Sequence, residues 1–307
     1  MPAPIVLDCD PGHDDAIALL LALASPEVEL LGVTTTYGNQ TLEKTTANAL
    51  RVLELVGRTD VPVAAGAEHP LERELVVAAH VHGESGLDGP VLPEPTTSPA
   101  ALDAVAFIAD RVAAADRPVT LVPTGPLTNV ARYLAAHGPA GIERIVLMGG
   151  SIAEGNVTPA AEFNVWCDPE AAAQVLGSGL DVTMVGLDAT HKAILGPAAE
   201  ERLRAAGPIG SFVAELNVFF SRYHAETYGW EGAPIHDAVA VAHVIRPGLL
   251  ETRFRNVEVE RQSDLCRGRT VVDLWKRTSR VPNAHVAVDL DAARFFGLLL
   301  ERIARLG

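Results

Sequence analysis

Four carboxylates crowd the first loop of the chain. The stretch DCDPGHDD supplies Asp8, Asp10, Asp14 and Asp15 directly after the apolar run IVL, and no lysine or arginine precedes Lys44. Carboxylates held together without a positive partner raise one another's pKa and disfavour ionisation. A hard divalent cation removes that penalty, because Ca²⁺ accepts several oxygen ligands, carboxylates included. The sequence therefore predicts a metal site in this loop.

Two other interpretations of the acidic stretch were weighed. Asp14 and Asp15 could cap the helix that follows, where carboxylates meet unpaired N–H groups, but capping leaves Asp8 and Asp10 unexplained. IVLDCD also resembles the strand-end DxD of haloacid-dehalogenase-type phosphatases, in which the first Asp is the nucleophile. That pattern has a Thr or Val shortly after the second Asp, whereas Pro11 and Gly12 follow here. No P-loop or GxGxxG follows any predicted strand, so phosphoryl chemistry is the weaker interpretation.

Composition bounds the class of protein. The chain has 307 residues and 48% hydrophobic content, enough for one large α/β domain or two smaller ones. It carries 24 Lys and Arg against 39 Asp and Glu, a formal net charge of −15. This balance argues against nucleic acid and anionic membranes as partners and favours a neutral ligand, or one held through a cation.

The cysteines and the N-terminus point to the cytoplasm. Cys9, Cys167 and Cys266 are too few and too scattered for a disulfide framework, which indicates a reducing compartment. The first residues lack the basic region of a signal peptide, and AIALLLALA is too short to span a membrane. We therefore expect a cytoplasmic protein.

Short β-branched runs alternate with longer helical ones along the first two-thirds of the chain. Continuous apolar strands separated by helices are typical of a mainly parallel sheet covered on both faces. The last third predicts helices over 198–245, an antiparallel pair at VEVERQ and TVVDLW, a strand at 285–291 and a closing helix. We find no linker composition and no internal repeat. The prediction is one open α/β domain over 1–307, with a mixed but mainly parallel sheet and a Rossmann-like core.

Polar residues follow the strands of this predicted sheet. They occur at 8–15, 37–39, 124 and 148–164, after the first, second, fourth and fifth strands. The carboxyl ends of parallel strands meet at one edge, where open α/β sheets bind ligands. These residues should therefore converge on one site.

The motifs together resemble the nucleoside hydrolases of the inosine–uridine-preferring type. The resemblance rests on DCDPGHDD (8–15), TTYGN (35–39), HGESGLDG (82–89), PTGPLTN (123–129), LMGG (147–150), GNVTPAAEFN (155–164), DPEAA (168–172) and IHDAVA (235–240). It implies Ca²⁺-dependent hydrolysis of the N-glycosidic bond of ribonucleosides, purine or pyrimidine, to ribose and free base. It also implies a homodimer or homotetramer.

The resemblance assigns roles to individual residues. It implies a metal held by Asp10, Asp15, the backbone carbonyl of Thr124 and Asp237, with Asp8 as a supporting neighbour. It implies substrate contacts from Asp14, Asn39, His82, Met148, Asn156, Glu162, Phe163 and Asn164. The catalytic pair would be Asp10, which takes a proton from the attacking water, and His236, which aids departure of the base.

Several of these assignments have a plainer alternative. GNVTPAAEFN could be an ordinary polar loop, His82 a surface loop residue, and His236 a residue at a helix start. Tyr223, Tyr228 and Trp230 could stack on a base or simply end an amphipathic helix. We expect 70–99 and 220–235 to form a lid.

Two other functions remain open at this point. One is a hydrolase specific for pyrimidine ribonucleosides, within the same reaction class. The other is a nucleoside- or ribose-binding protein without catalysis, which would not need a base beside the metal and an acid on the far side.

Overall fold

An eight-stranded sheet forms the centre of the protein, as seen in a computed structural model that describes residues 1–306. These residues form twelve strands: β1 Ala3–Cys9, β2 Val28–Thr35, β3 Val63–Ala65, β4 Val119–Pro123, β5 Ile142–Met148, β6 Val182–Val185, β7 Ile194–Leu195, β8 Ala233–Pro234, β9 Leu250–Arg255, β10 Val257–Val259, β11 Thr270–Val272 and β12 Ala284–Leu290. The last position of the predicted domain, Gly307, lies outside the described residues.

The strand order places a crevice between β1 and β4. The central sheet runs β3-β2-β1-β4-β5-β6-β12-β9, and every pairing in it is parallel except β12 with β9. The chain builds outward from β1 to β3, then returns to lay β4 on the other side of β1. Ligands bind at such a reversal of strand order, outside the carboxyl ends of the strands. Asp10 follows β1 and Thr124 follows β4, so both lie at this point.

Helices cover both faces of the sheet. They are α1 His13–Leu23, α2 Leu42–Leu55, α3 Ala79–His82, α4 Ala104–Ala114, α5 Thr128–His137, α6 Phe163–Cys167, α7 Pro169–Leu176, α8 Leu187–Thr190, α9 Pro197–Ala205, α10 Pro208–Tyr228, α11 His236–Ile245 and α12 Ala292–Ile303, with a 3₁₀ turn at Pro247–Leu249. Successive residues of one strand pack on opposite sides: Ile5 and Leu7 join the core under α1, α2 and α11, while Val6 joins the core under α4, α5 and α7. This alternation explains why the strands read as unbroken apolar runs.

The predicted fold class is confirmed, since the sheet is mainly parallel and lies between two layers of helices. The antiparallel pair β10–β11 and the closing helix α12 also match the prediction. Some features were not predicted, among them helix α3 and the edge strand β9. GNVTPAAEFN ends in the short helix α6, and the helical stretch of 198–245 is broken where β8 pairs with β7.

No helix within residues 1–306 combines the length and apolar character needed to cross a bilayer.

Candidate active site

A cavity opens at the carboxyl ends of β1 and β4. Its wall carries one set of polar residues from the strand ends and another of histidines and aromatic residues. The lining is Asp14, Asn39, Ala78, His80, Val81, His82, Thr124, Met148, Asn156, Val157, Glu162, Phe163, Asn164, His191, Phe220, Tyr223, His224, Tyr228, His236 and Asp237. Nearly all the predicted substrate-binding and metal-ligating residues therefore meet at one site.

Three buried carboxylates lie close together at the floor of the cavity. Asp14, Asp15 and Asp237 each offer an oxygen within 4.8 Å of the others. Two come from the first turn of α1 and the third from the first turn of α11, so both helix N-termini point their N–H groups toward this cluster. The Asp15 carboxylate accepts hydrogen bonds from the Thr124 hydroxyl (2.8 Å) and the Asn39 amide (2.9 Å), both of them neutral donors.

Burial raises the pKa values of the carboxyl groups at and beneath the floor of the cavity. Desolvation, followed by the charge of Asp15, raises the pKa of Asp14 to about 7 and that of Asp10 well above its usual range. Desolvation and the neighbouring acids raise the pKa of Asp237 well above its usual range too. These carboxylates are crowded, and within residues 1–306 no Lys or Arg side chain is hydrogen-bonded to them. Their oxygens match the donor set that Ca²⁺ prefers. The residues present therefore fit a hard divalent cation.

Asp10 lies beneath the cavity floor rather than on its wall. Its Oδ2 accepts a hydrogen bond from the Asn39 backbone N–H at 2.7 Å, while its Oδ1 is buried and has no hydrogen-bond partner in the described part of the chain. Gly38 and Gly125 flank this carboxylate. A β-carbon at Gly125 would lie 2.5 Å from Asp10 Oδ1, and one at Gly38 would overlap Oδ2. These glycines were not singled out from the sequence, although the TTYGN and PTGPLTN motifs contain them.

Asp8 faces different partners. Its Oδ1 accepts hydrogen bonds from the Thr34 hydroxyl (2.6 Å) and the Asn129 amide (2.8 Å), and burial raises its pKa to about 6. Asn129 also accepts a hydrogen bond from the Ala67 backbone N–H at 2.8 Å, so the first turn of α5 joins β1 to the loop after β3. Sequence analysis missed Asn129, whose only signal was its place at the end of PTGPLTN. The role of Asp8 as a supporting neighbour stays a prediction.

Three of the predicted substrate-binding residues, Met148, Glu162 and Asn164, lie on one wall and are linked by hydrogen bonds. The Asn164 amide donates to the Thr124 carbonyl at 2.6 Å and to the Met148 carbonyl at 3.2 Å. Glu162 caps α6 by accepting hydrogen bonds from the Asn164 (2.9 Å) and Val165 (3.1 Å) backbone N–H groups, and it also accepts one from the Gly150 backbone N–H at 2.9 Å. This arrangement fixes the wall before any ligand arrives.

The rest of this wall is held in the same way. The Asn156 side-chain oxygen accepts a hydrogen bond from the Phe163 backbone N–H at 2.9 Å. Asn156, Phe163 and Glu162 thus lie together at the turn into α6 and line the cavity. The Thr124 carbonyl, a predicted metal ligand, accepts the Asn164 amide here, and its ligand role stays a prediction.

His236 lies across the cavity from this wall, at the start of α11. Its Nδ1 is 2.7 Å from the Thr190 hydroxyl, and the ring lies 5.6 Å, centroid to centroid, from that of His191. Desolvation, then the neighbouring His191 and His224, lowers the pKa of His236 well below its usual value. His236 is therefore neutral near neutral pH.

His82 is buried in α3 rather than exposed in a loop. Its Nδ1 lies 3.1 Å from His13 Nδ1, and His13 Nε2 donates to the Asp88 carbonyl at 2.8 Å. The Asp88 carboxylate accepts hydrogen bonds from the Ser85 and Glu84 backbone N–H groups, both at 3.1 Å. The HGESGLDG stretch thus folds back on His13 and holds His82 in the cavity wall.

Aromatic side chains complete the histidine side. Tyr223 and Tyr228 line the cavity from the last turns of α10, whereas Trp230 lies behind and stacks on Tyr228 at a centroid distance of 4.6 Å. His191 and His224 also line the cavity, and sequence analysis missed both. Neither falls in a position whose residue types suggested chemistry, so the sequence offered no signal for them.

Comparison with known proteins identifies the family. The family model described as inosine-uridine preferring nucleoside hydrolase matches residues 5–297. Pyrimidine-specific ribonucleoside hydrolase RihA of Shewanella sp. (strain MR-7) is 53% identical over 308 residues, which cover 99% of this chain and 97% of that protein. RihA of Salmonella typhimurium is 53% identical over 307 residues and covers 99% of both chains.

Solved structures agree with this assignment. Purine-preferring ribonucleoside hydrolase from Gardnerella vaginalis superposes with a TM-score of 0.93 at 35% identity, over 99% of this chain and 98% of that one. The resemblance drawn from the sequence motifs is confirmed. The chain belongs to the inosine-uridine preferring nucleoside hydrolase family, whose enzymes hydrolyse the N-glycosidic bond of nucleosides.

Proposed function

We propose that the protein hydrolyses pyrimidine ribonucleosides, uridine and cytidine, to ribose and free base with Ca²⁺ as its cofactor. The observation that carries this proposal is a single cavity with buried carboxylates on one side and neutral histidines on the other. The choice of pyrimidines follows the relatives that are 53% identical, which are named pyrimidine-specific ribonucleoside hydrolases. The relative named purine-preferring is more distant, at 35% identity.

Asp10, Asp15, Asp237 and the Thr124 carbonyl would hold the cation. The unpartnered Asp10 Oδ1 and the crowding of Asp15 with Asp237 support this assignment. When bound, the cation supplies the missing positive charge and acidifies water. Asp14 and Asn39 both line the cavity beside this cluster, and we assign them to the ribose hydroxyls.

The protein's own groups divide the reaction between the two sides. Asp10 would take a proton from the attacking water, because its Oδ1 has no hydrogen-bond partner among residues 1–306 and can accept one from the water. The Asp14 and Glu162 carboxylates would stabilise the positive charge that develops on the sugar as the glycosidic bond breaks. His236, as a neutral ring, would donate a hydrogen bond to the departing base and so stabilise the negative charge that develops on it.

His82 would lie against the base beside His236. The aromatic side chains of Tyr223 and Tyr228 bound the same part of the cavity, so a planar base could stack there. The sugar would rest against Asn156, Phe163, Asn164 and Met148 on the opposite wall.

A nucleoside panel tests this function. Release of reducing sugar is measured from uridine, cytidine, inosine and adenosine, with 2′-deoxyuridine as the control for the ribose hydroxyls. Turnover of uridine and cytidine well above the purine nucleosides, lost on chelation and restored by Ca²⁺, is the expected result. Release from no nucleoside, faster release from purine nucleosides, or activity indifferent to exhaustive chelation would contradict the proposal.

A further inference from the structure

Thr190 lies directly behind His236 and outside the cavity wall. It is the last residue of α8, it is fully buried, and its hydroxyl is 2.7 Å from His236 Nδ1. Among residues 1–306 that nitrogen is the only hydrogen-bond partner of the Thr190 hydroxyl. Nothing in the proposed reaction has used this contact.

The position of the hydrogen in this contact follows from the available partners. A hydroxyl carries one hydrogen, and a neutral imidazole carries one N–H and one lone pair. If Nδ1 donated to Thr190, the hydroxyl hydrogen would be buried without an acceptor, an arrangement that folded proteins avoid. If Thr190 donates instead, both groups are satisfied. The partner is a hydroxyl rather than a carboxylate, so the contact does not favour a doubly protonated ring.

We propose that Thr190 is a positioning residue that donates its hydroxyl hydrogen to His236 Nδ1 and thereby holds the ring's own hydrogen on Nε2. The His236 ring lines the cavity while Thr190 does not, so Nε2 is the nitrogen left to meet the substrate. A neutral ring held in this tautomer donates a hydrogen bond to the base as negative charge develops on it. The inference rests on the proposed function and explains how His236 is prepared for its role there.

Two substitutions separate this role from simple packing. Thr190→Val keeps the shape but removes the hydroxyl, whereas Thr190→Ser keeps the hydroxyl. Thr120→Val is the matched control, because Thr120 is also fully buried in β4 but its hydroxyl has no hydrogen-bond partner. Each variant is assayed on uridine and on p-nitrophenyl riboside, whose leaving group departs without help.

The expected result is selective. Thr190→Val loses kcat on uridine by about tenfold or more, the scale seen when a histidine loses the partner that orients it. It keeps its KM and its turnover of p-nitrophenyl riboside, while Thr190→Ser and Thr120→Val stay close to wild type on both substrates. Equal losses of Thr190→Val on both substrates, no loss on uridine, or no rescue by Thr190→Ser would overturn the inference. Failure of the wild-type protein to cleave uridine would instead contradict the proposed function.

The tautomer of His236 can also be measured directly, without an activity assay. The ring ¹⁵N signals of His236, assigned by their loss in His236→Gln, should show a pyridine-type Nδ1 and a pyrrole-type Nε2. The Thr190→Val protein should lose this fixed pattern. A pyrrole-type Nδ1 in the wild-type protein would overturn the inference whatever the kinetics show.

Discussion

The two sides of the cavity are built differently. The carboxylate side comes from the ends of β1 and β4 and the first turns of α1 and α11, and strand pairing on both flanks of β1 fixes it. The histidine side comes from His236 at the start of α11, the four-residue helix α3, the end of α10 and His191 directly after α8. Its members are held by single hydrogen bonds and by ring packing, as in the contact of His236 with the Thr190 hydroxyl (2.7 Å) and that of Phe220 with His224 (4.6 Å between centroids). Under the proposed function, the carboxylate side, which the sheet holds in place, would meet the sugar, and the histidine side, whose elements lie outside the sheet, would meet the base.

The largest effect should come from the carboxylate side. Asp10→Asn keeps the shape of the side chain but removes the group that accepts the proton of water, so kcat on uridine should fall by about 10²- to 10⁴-fold. Binding of uridine, measured by calorimetry in Ca²⁺, should change little. The surface variant Asp289→Asn serves as the control. Turnover near wild type in Asp10→Asn would remove Asp10 from the mechanism.

A glycine next to Asp10 tests how rigid this side is. Gly125→Ala places a methyl group 2.5 Å from Asp10 Oδ1, which must push the carboxylate aside. A small displacement of a catalytic group can lower the rate by about 10²-fold, and we expect a loss of kcat of that order. Gly248→Ala is the control, since no atom lies within 4 Å of the added carbon there. Equal activity of the two variants would show that the carboxylate side yields more easily than the packing indicates.

The sequence predicted the carboxylate side better than the histidine side, for a physical reason. Residues after parallel strands must meet at one edge, so the spacing of Asp10, Asn39 and Thr124 along the chain already implied their convergence. His191, His224 and Phe220 meet through packing between elements far apart in sequence, which no local pattern encodes. The helix α6 was also missed, because its start depends on Glu162 accepting backbone N–H groups that a polar loop composition does not reveal.

Cation binding to the carboxylate side should raise the free energy of unfolding of the protein by a measurable amount. At Ca²⁺ concentrations 100 times the Kd, the free energy of unfolding should rise by about 2.7 kcal/mol over the chelated protein, since only the folded chain gathers the ligands. Asp237→Asn should lose this rise. Asp60→Asn, an exposed carboxylate paired with Arg58, should keep it. An unchanged rise in Asp237→Asn would place the cation elsewhere.

The smallest effect should come from Trp230, which lies behind the aromatic side chains that line the cavity. Trp230→Ala removes the ring stacked on Tyr228, and such a pair contributes about 0.5–1.5 kcal/mol. KM for uridine should therefore rise by about two- to tenfold while kcat stays close to wild type. Trp275→Ala, whose ring is 74% exposed, is the control and should change neither constant. A fall in kcat with KM unchanged would mean that Trp230 acts on the chemistry and not on base binding.

One leaving-group experiment tests the division between the two sides most directly. His236→Ala and Asp10→Asn are compared on uridine and on p-nitrophenyl riboside under the same conditions with Ca²⁺. We predict that His236→Ala loses turnover of uridine but largely retains that of p-nitrophenyl riboside, whereas Asp10→Asn loses both. Equal loss of both substrates in His236→Ala, or retention of p-nitrophenyl riboside turnover in Asp10→Asn, would contradict the assignment of water activation to the carboxylate side and base departure to the histidine side.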